Sequence, residues 1–78
     1  MENKKYLFIG PRYPKCKIVM EWLKDNPVDD LIIKDISMPD NLALAAYLEV
    51  GMEIPVLFDV GHIIKSPEKI IQRLEGMI

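Results

Sequence analysis

A single cysteine, Cys16, leaves this 78-residue sequence without any internal disulfide, so the fold must stand on an apolar core. A single histidine, His62, joined to that one thiol falls short of the four ligands a structural zinc takes, and it reads instead as a hairpin residue at a sheet edge. No apolar run approaches the roughly 18 residues that cross a bilayer, and the opening MENKKY has no apolar core of a signal peptide. The expectation is therefore a cytoplasmic chain with no membrane partner. Neither a glycine-rich phosphate loop, a dinucleotide fingerprint nor a zinc-protease motif occurs. Net charge is only −2, which gives no reason to expect nucleic acid.

What remains is the composition of one small globular domain, 50% hydrophobic and 28% charged. A chain of this size buries only about 60% of its unfolded surface, so its stability is expected to be modest. Charge is unevenly spread. Through Ile18 there are five cations (Lys4, Lys5, Arg12, Lys15, Lys17) against Glu2, a net of +4, which leaves −6 for the remainder. A basic face near residues 8–16 suits an anionic ligand or an acidic partner, although solvated surface lysines have the same appearance.

Tyr6–Ile9 is an apolar run stopped by Gly10-Pro11, which predicts a buried strand entering a turn. From Pro14, residues Cys16, Val19, Met20 and Leu23 recur at helical spacing, predicting a helix that ends near Asn26-Pro27. Trp22 on that helix is expected to pack against a neighbouring element. Leu31–Ile36 predicts the second strand, after a turn at Asp29-Asp30. Ser37 followed by Asp40 predicts the start of a second helix, with Leu44, Ala45 and Leu48 inward and Gly51 as its terminator. Its other residues, Leu42, Ala43, Ala46 and Tyr47, are also mostly apolar, so the helix either is covered on most sides or offers a contact surface. Val56–Asp59 and His62–Ile64 predict a hairpin turning at Val60-Gly61. Ser66-Pro67 then opens a last helix with Ile70, Ile71, Leu74 and Met77 inward. The order is β-α-β-α-β-β-α. A right-handed parallel crossover followed by an antiparallel hairpin gives a four-stranded mixed sheet with helices on both faces.

In that order and spacing, the sequence resembles the glutaredoxin branch of the thioredoxin fold. Tyr13-Pro14-Lys15-Cys16 occupies the place of that family's C-x-x-C motif. Ile54-Pro55-Val56-Leu57-Phe58 occupies the place of its cis-proline strand, and His62-Ile63 falls where the hairpin's second strand begins. The resemblance implies a cis bond before Pro55. It also implies that the backbone of Ile54 faces an extended ligand strand. The family's nucleophile is the first cysteine, whose pKa is lowered by the helix N-terminus. Here that position is Tyr13, whose phenol cannot exchange with a disulfide. Cys16 matches the second, more buried cysteine. An alternative register, with Pro14-Lys15 unwound and Lys15 and Lys17 flanking an exposed thiol, makes Cys16 the nucleophile instead.

The family's glutathione site is altered as well. Its lysine after the first strand is replaced by Gly10, with Arg12 or Lys15 as substitutes, and its glycine pair by Ile64-Lys65; an acidic residue persists as Glu68. Three readings follow. The first is a binding module without dithiol chemistry, using Arg12, Tyr13, Lys15, Ile54 and Pro55 to hold glutathione or an extended peptide segment of a protein partner. The second is a thiol-disulfide oxidoreductase acting through Cys16 as sole catalytic residue, with glutathione. The third is a homo-oligomeric subunit that pairs through the second helix, where the others are monomers. No metal is implied.

Overall fold

A computed structural model describes residues 5–51 and 53–77. Glu2 and Lys4 of the basic stretch lie outside the described residues. The elements run β1 (Lys5–Ile9), α1 (Pro14–Asp25), β2 (Leu31–Asp35), α2 (Pro39–Tyr47), β3 (Val56–Asp59), β4 (His62–Ile64) and α3 (Pro67–Glu75). They form a four-stranded sheet in the order β2-β1-β3-β4, parallel between β1 and β2 and antiparallel elsewhere. The β-α-β-α-β-β-α order and the mixed sheet are those expected from the sequence.

Strand alternation divides the core in two. Leu7 and Leu57 point to one face of the sheet, where they pack with Val19 of α1 and with Ile70 and Leu74 of α3. Phe8 and Val56 point to the other face, against Ala45 of α2 and Val50 just beyond it. Trp22, Met20 and Leu23 pack on the first of these clusters, as their spacing predicted. Cys16, at the start of α1, joins the second cluster with Ile54, so α1 reaches past the end of β1 to touch both. On the same strand face as Leu57, Asp59 is 5% exposed, and its carboxylate accepts a 2.9 Å hydrogen bond from Nε of Arg73 in α3. A buried carboxylate needs such a partner.

Each helix opens on a proline (Pro14, Pro39, Pro67), where the missing N–H costs nothing, and none has a side-chain cap. The ends of α2 differ from expectation. Its N-cap is Met38 rather than Ser37, because Asp35 Oδ1 accepts the Ser37 N–H and holds that residue in a preceding turn. Its terminator is not Gly51. Glu49 takes the left-handed conformation at φ 57°, its N–H reaching the Ala46 carbonyl while that of Val50 reaches Ala45. This is the Schellman pattern with glutamate in the place glycine usually fills, and Gly51, at φ 83°, belongs to the following loop. Met77, expected inward, is 36% exposed, since α3 stops at Glu75 and Met77 lies beyond its buried stripe.

The hairpin pairs Asp59 with His62, leaving two residues in the turn. Both have positive φ, 48° at Val60 and 87° at Gly61, as a type I′ turn requires. Glycine adopts this freely, whereas a β-branched residue pays about 1–2 kcal/mol. Val60 is 60% exposed and gains little packing in return. Val60→Asn is therefore expected to stabilise the domain by about 1 kcal/mol, a rise of about 4–8 °C in melting temperature at this size. A lower melting temperature would contradict this turn geometry.

Candidate functional site

Ligands of open α/β sheets collect at the carboxyl ends of parallel strands. Here that place is the segment from Gly10 to Cys16, which leaves β1 and enters α1. The Tyr13 N–H meets the Gly10 carbonyl at 3.4 Å, closing a tight turn over Pro11 and Arg12. Tyr13 is the N-cap of α1 in extended conformation, and its carbonyl accepts the N–H of Cys16 at 3.0 Å. Tyr13 thus stands at the mouth of the helix, and Cys16 lies one turn inside.

The thiol is enclosed. Cys16 is 3% exposed, and its Sγ accepts the Gly10 backbone N–H at 3.5 Å. Burial raises its pKa above the ordinary 9.0. The Gly10 N–H partly opposes that rise, and the nearby Asp35 carboxylate adds to it. A protonated, enclosed thiol is a poor nucleophile. The alternative register, with Cys16 open at the helix tip, is not the one adopted. Lys17 instead lies near Glu21, at 3.9 Å on the exposed side of α1.

Gly10 has a role its place in the sequence did not reveal. A Cβ on it would lie 2.5 Å from Cδ1 of Ile54 and 2.7 and 2.9 Å from the edge of the Tyr13 ring. The ring and the isoleucine both rest on the bare backbone of this residue. The only sequence signal was a glycine directly after a strand, which also fits an ordinary turn.

Of the residues expected to bind a ligand, Tyr13, Lys15 and Ile54 meet around one cleft of about 560 Å³, completed by Pro14, Glu53 and Lys65. Arg12 lies on the opposite side of Tyr13. There a second cleft of about 410 Å³ runs from Gly10 and Pro11 to Ile36 and Ser37. Pro55 is buried beneath the first cleft rather than lining it, and the Ile54–Pro55 bond is cis. Glu53 and Lys65 were not among the expected binding residues. A third hollow, of about 440 Å³, continues past Lys15 and Lys65 to Ser66 and Glu68. Among the described residues no group of histidine, cysteine and carboxylate side chains could hold a metal ion, and no helix is long and apolar enough to cross a membrane.

A crystal structure of a mutant of the thioredoxin-like protein BC3987 aligns with a TM-score of 0.73 over 92% of this chain and 99% of that one. The chain has the thioredoxin-like fold. Sequence identity in that alignment is 23%, so the likeness carries architecture and not activity. Neither a protein-family model nor a curated protein matches the sequence.

Two outcomes follow from this geometry. Gly10→Ala is expected to push the Tyr13 ring outward and cost about 1–3 kcal/mol, read by denaturant unfolding and by loss of ring-current shifts at Ile54 Cδ1. Unchanged shifts would mean that the ring does not rest on Gly10. The second concerns pH. A thiol whose folded pKa is raised favours the folded state fully below its ordinary value of 9.0, and that contribution is lost as pH rises through the folded pKa. The stability advantage of the native chain over Cys16→Ala should therefore hold below pH 9.0 and shrink as pH rises above it, as measured by urea midpoints. A constant gap would show that Cys16 titrates as a free thiol does.

Proposed function

We propose that this thioredoxin-like chain is a glutaredoxin-like binding module without dithiol exchange, engaging its ligand through the 12–17 loop and the Ile54–Pro55 segment. The observation that carries this reading is the enclosure of the only cysteine behind a tyrosine that occupies the helix mouth. Exchange begins with an accessible thiolate. Cys16 is neither accessible nor readily ionised. Tyr13 offers half of its surface to solvent and a ring face to bind against. Glutathione is expected to bind weakly or not at all, since Gly10 and the Ile64-Lys65 pair lack the groups the resemblance assigns to that ligand.

The oligomeric reading has one observation in its favour. Along α2 and its cap, Met38 (57%), Leu42 (39%) and Tyr47 (83%) are exposed, so an apolar surface stands open. Sedimentation showing only monomer at micromolar concentration would remove it.

The deciding measurement is the rate of Cys16 reaction with a chromogenic disulfide reagent in the native and the denatured chain. Native labelling is expected to be slower than denatured labelling by at least about a hundredfold, set by the opening of the fold. Equal rates, or turnover of a small disulfide by the unmodified chain, would establish the oxidoreductase reading instead. Tyr13→Cys supplies a positive control. It places a second thiol three residues before Cys16, and the pair is expected to oxidise to an intramolecular disulfide.

A further inference from the structure

We infer that the two clefts on either side of Tyr13 form one groove, and that its occupant is an extended acidic segment of a partner protein with a large apolar residue near its middle. This rests on the binding-module reading and gives the ligand its chemistry. Both clefts include Tyr13, one on the Ser37 side and one on the Lys65 side, so a chain laid across the ring enters each in turn. The ring forms a ridge that packs close over the backbone of Gly10, with Ile54 beside it. With Pro14 and Ile54 beside it, the middle of the groove is apolar and takes an aliphatic or aromatic side chain.

Charge decides the rest. Arg12 lines one end of the groove, Lys15 and Lys65 line the other, and Glu53 is the one carboxylate among the lining residues. None of these four makes an ion pair among the described residues, whereas Lys17 of the same loop is matched by Glu21. Asp35, near the Ser37 end, has Oδ1 engaged by the Ser37 N–H. Cations outnumber carboxylates here although the chain as a whole carries −2. That local excess favours a segment with acidic residues on both sides of its apolar anchor, and steers its approach. Glu68, beyond Lys65 in the adjoining hollow, bounds the acidic stretch, since a further carboxylate there would meet a like charge.

The test begins with a displayed library of short random peptides, selected on the native chain and counter-selected on the double variant Lys15→Glu/Lys65→Glu. Both lysines are exposed, so the variant should fold, as its circular dichroism will establish, and Lys15→Gln/Lys65→Gln serves as a milder version. Enriched peptides are expected to carry acidic residues flanking one large apolar residue. A fluorescein-labelled enriched peptide should lose at least about tenfold in affinity on the double variant and weaken with added salt. Its binding should shift the backbone amide signals of both Ser37 and Lys65. Enrichment of neutral or basic sequences overturns the acidic chemistry and leaves the module reading intact. Shifts on one side of Tyr13 alone overturn the single groove, and absence of any enrichment overturns the proposal. Glutathione producing the same amide shifts at equal concentration also overturns it. Rapid native labelling of Cys16 is a separate result and bears on the module reading alone.

Discussion

The contact on which the rest of this molecule depends is the one between Gly10 and Cys16. A strand that ends against the first turn of a helix leaves a backbone N–H with no ladder partner, and a buried donor left unpaired is costly. Here the thiol sulfur accepts it. Sulfur is a weak acceptor, but it is also a small apolar group that fills the space among Phe8, Ala45 and Ile54. The single cysteine therefore has a structural reason to exist that requires no chemistry of its own. It joins the end of β1 to the start of α1, and that junction fixes where the residues between them project.

Tyr13 changes what this scaffold presents at the mouth of its first helix. A side chain at a helix mouth beside the end of a parallel strand is well placed to meet a ligand whatever its chemistry. A thiol there would be activated by its position. A phenol there contributes an aromatic face and a polar edge. Because Gly10 has no side chain, the ring sits low against the backbone there. The candidate site is thus shaped by a residue that contributes no side chain to it.

Element order and type were legible in the sequence because each element has a clear period and firm punctuation. Prolines open all three helices, and Gly10 and Gly61 interrupt apolar runs at the right places. What was hidden depends on competition between local hydrogen bonds. Ser37 has the chemistry of an N-cap, yet Asp35 captures its N–H first. Gly51 has the flexibility of a terminator, yet Glu49 is forced into that conformation two residues sooner by the packing of Val50 against Ala45. At the candidate site, the helical spacing that placed Cys16 inside was correct. The partition of the clefts was not legible, since which side of a tyrosine an arginine or a lysine occupies depends on a turn whose direction no periodicity records. Lys65 comes from a distant part of the chain and joins Lys15 only through the sheet.

The order of the strands also bears on how the protein behaves when crowded. Among the described residues β2 pairs only with β1, so its outer side is an edge of the sheet, and Ile33 on it is 42% exposed. Such a rim is a template on which further copies can zip. Lys34 does not guard it, because its ammonium lies 5.8 Å from the centre of the Tyr6 ring on β1 and so leans inward over the sheet face. What limits such stacking is the shortness of the strand, five residues from Leu31 to Asp35.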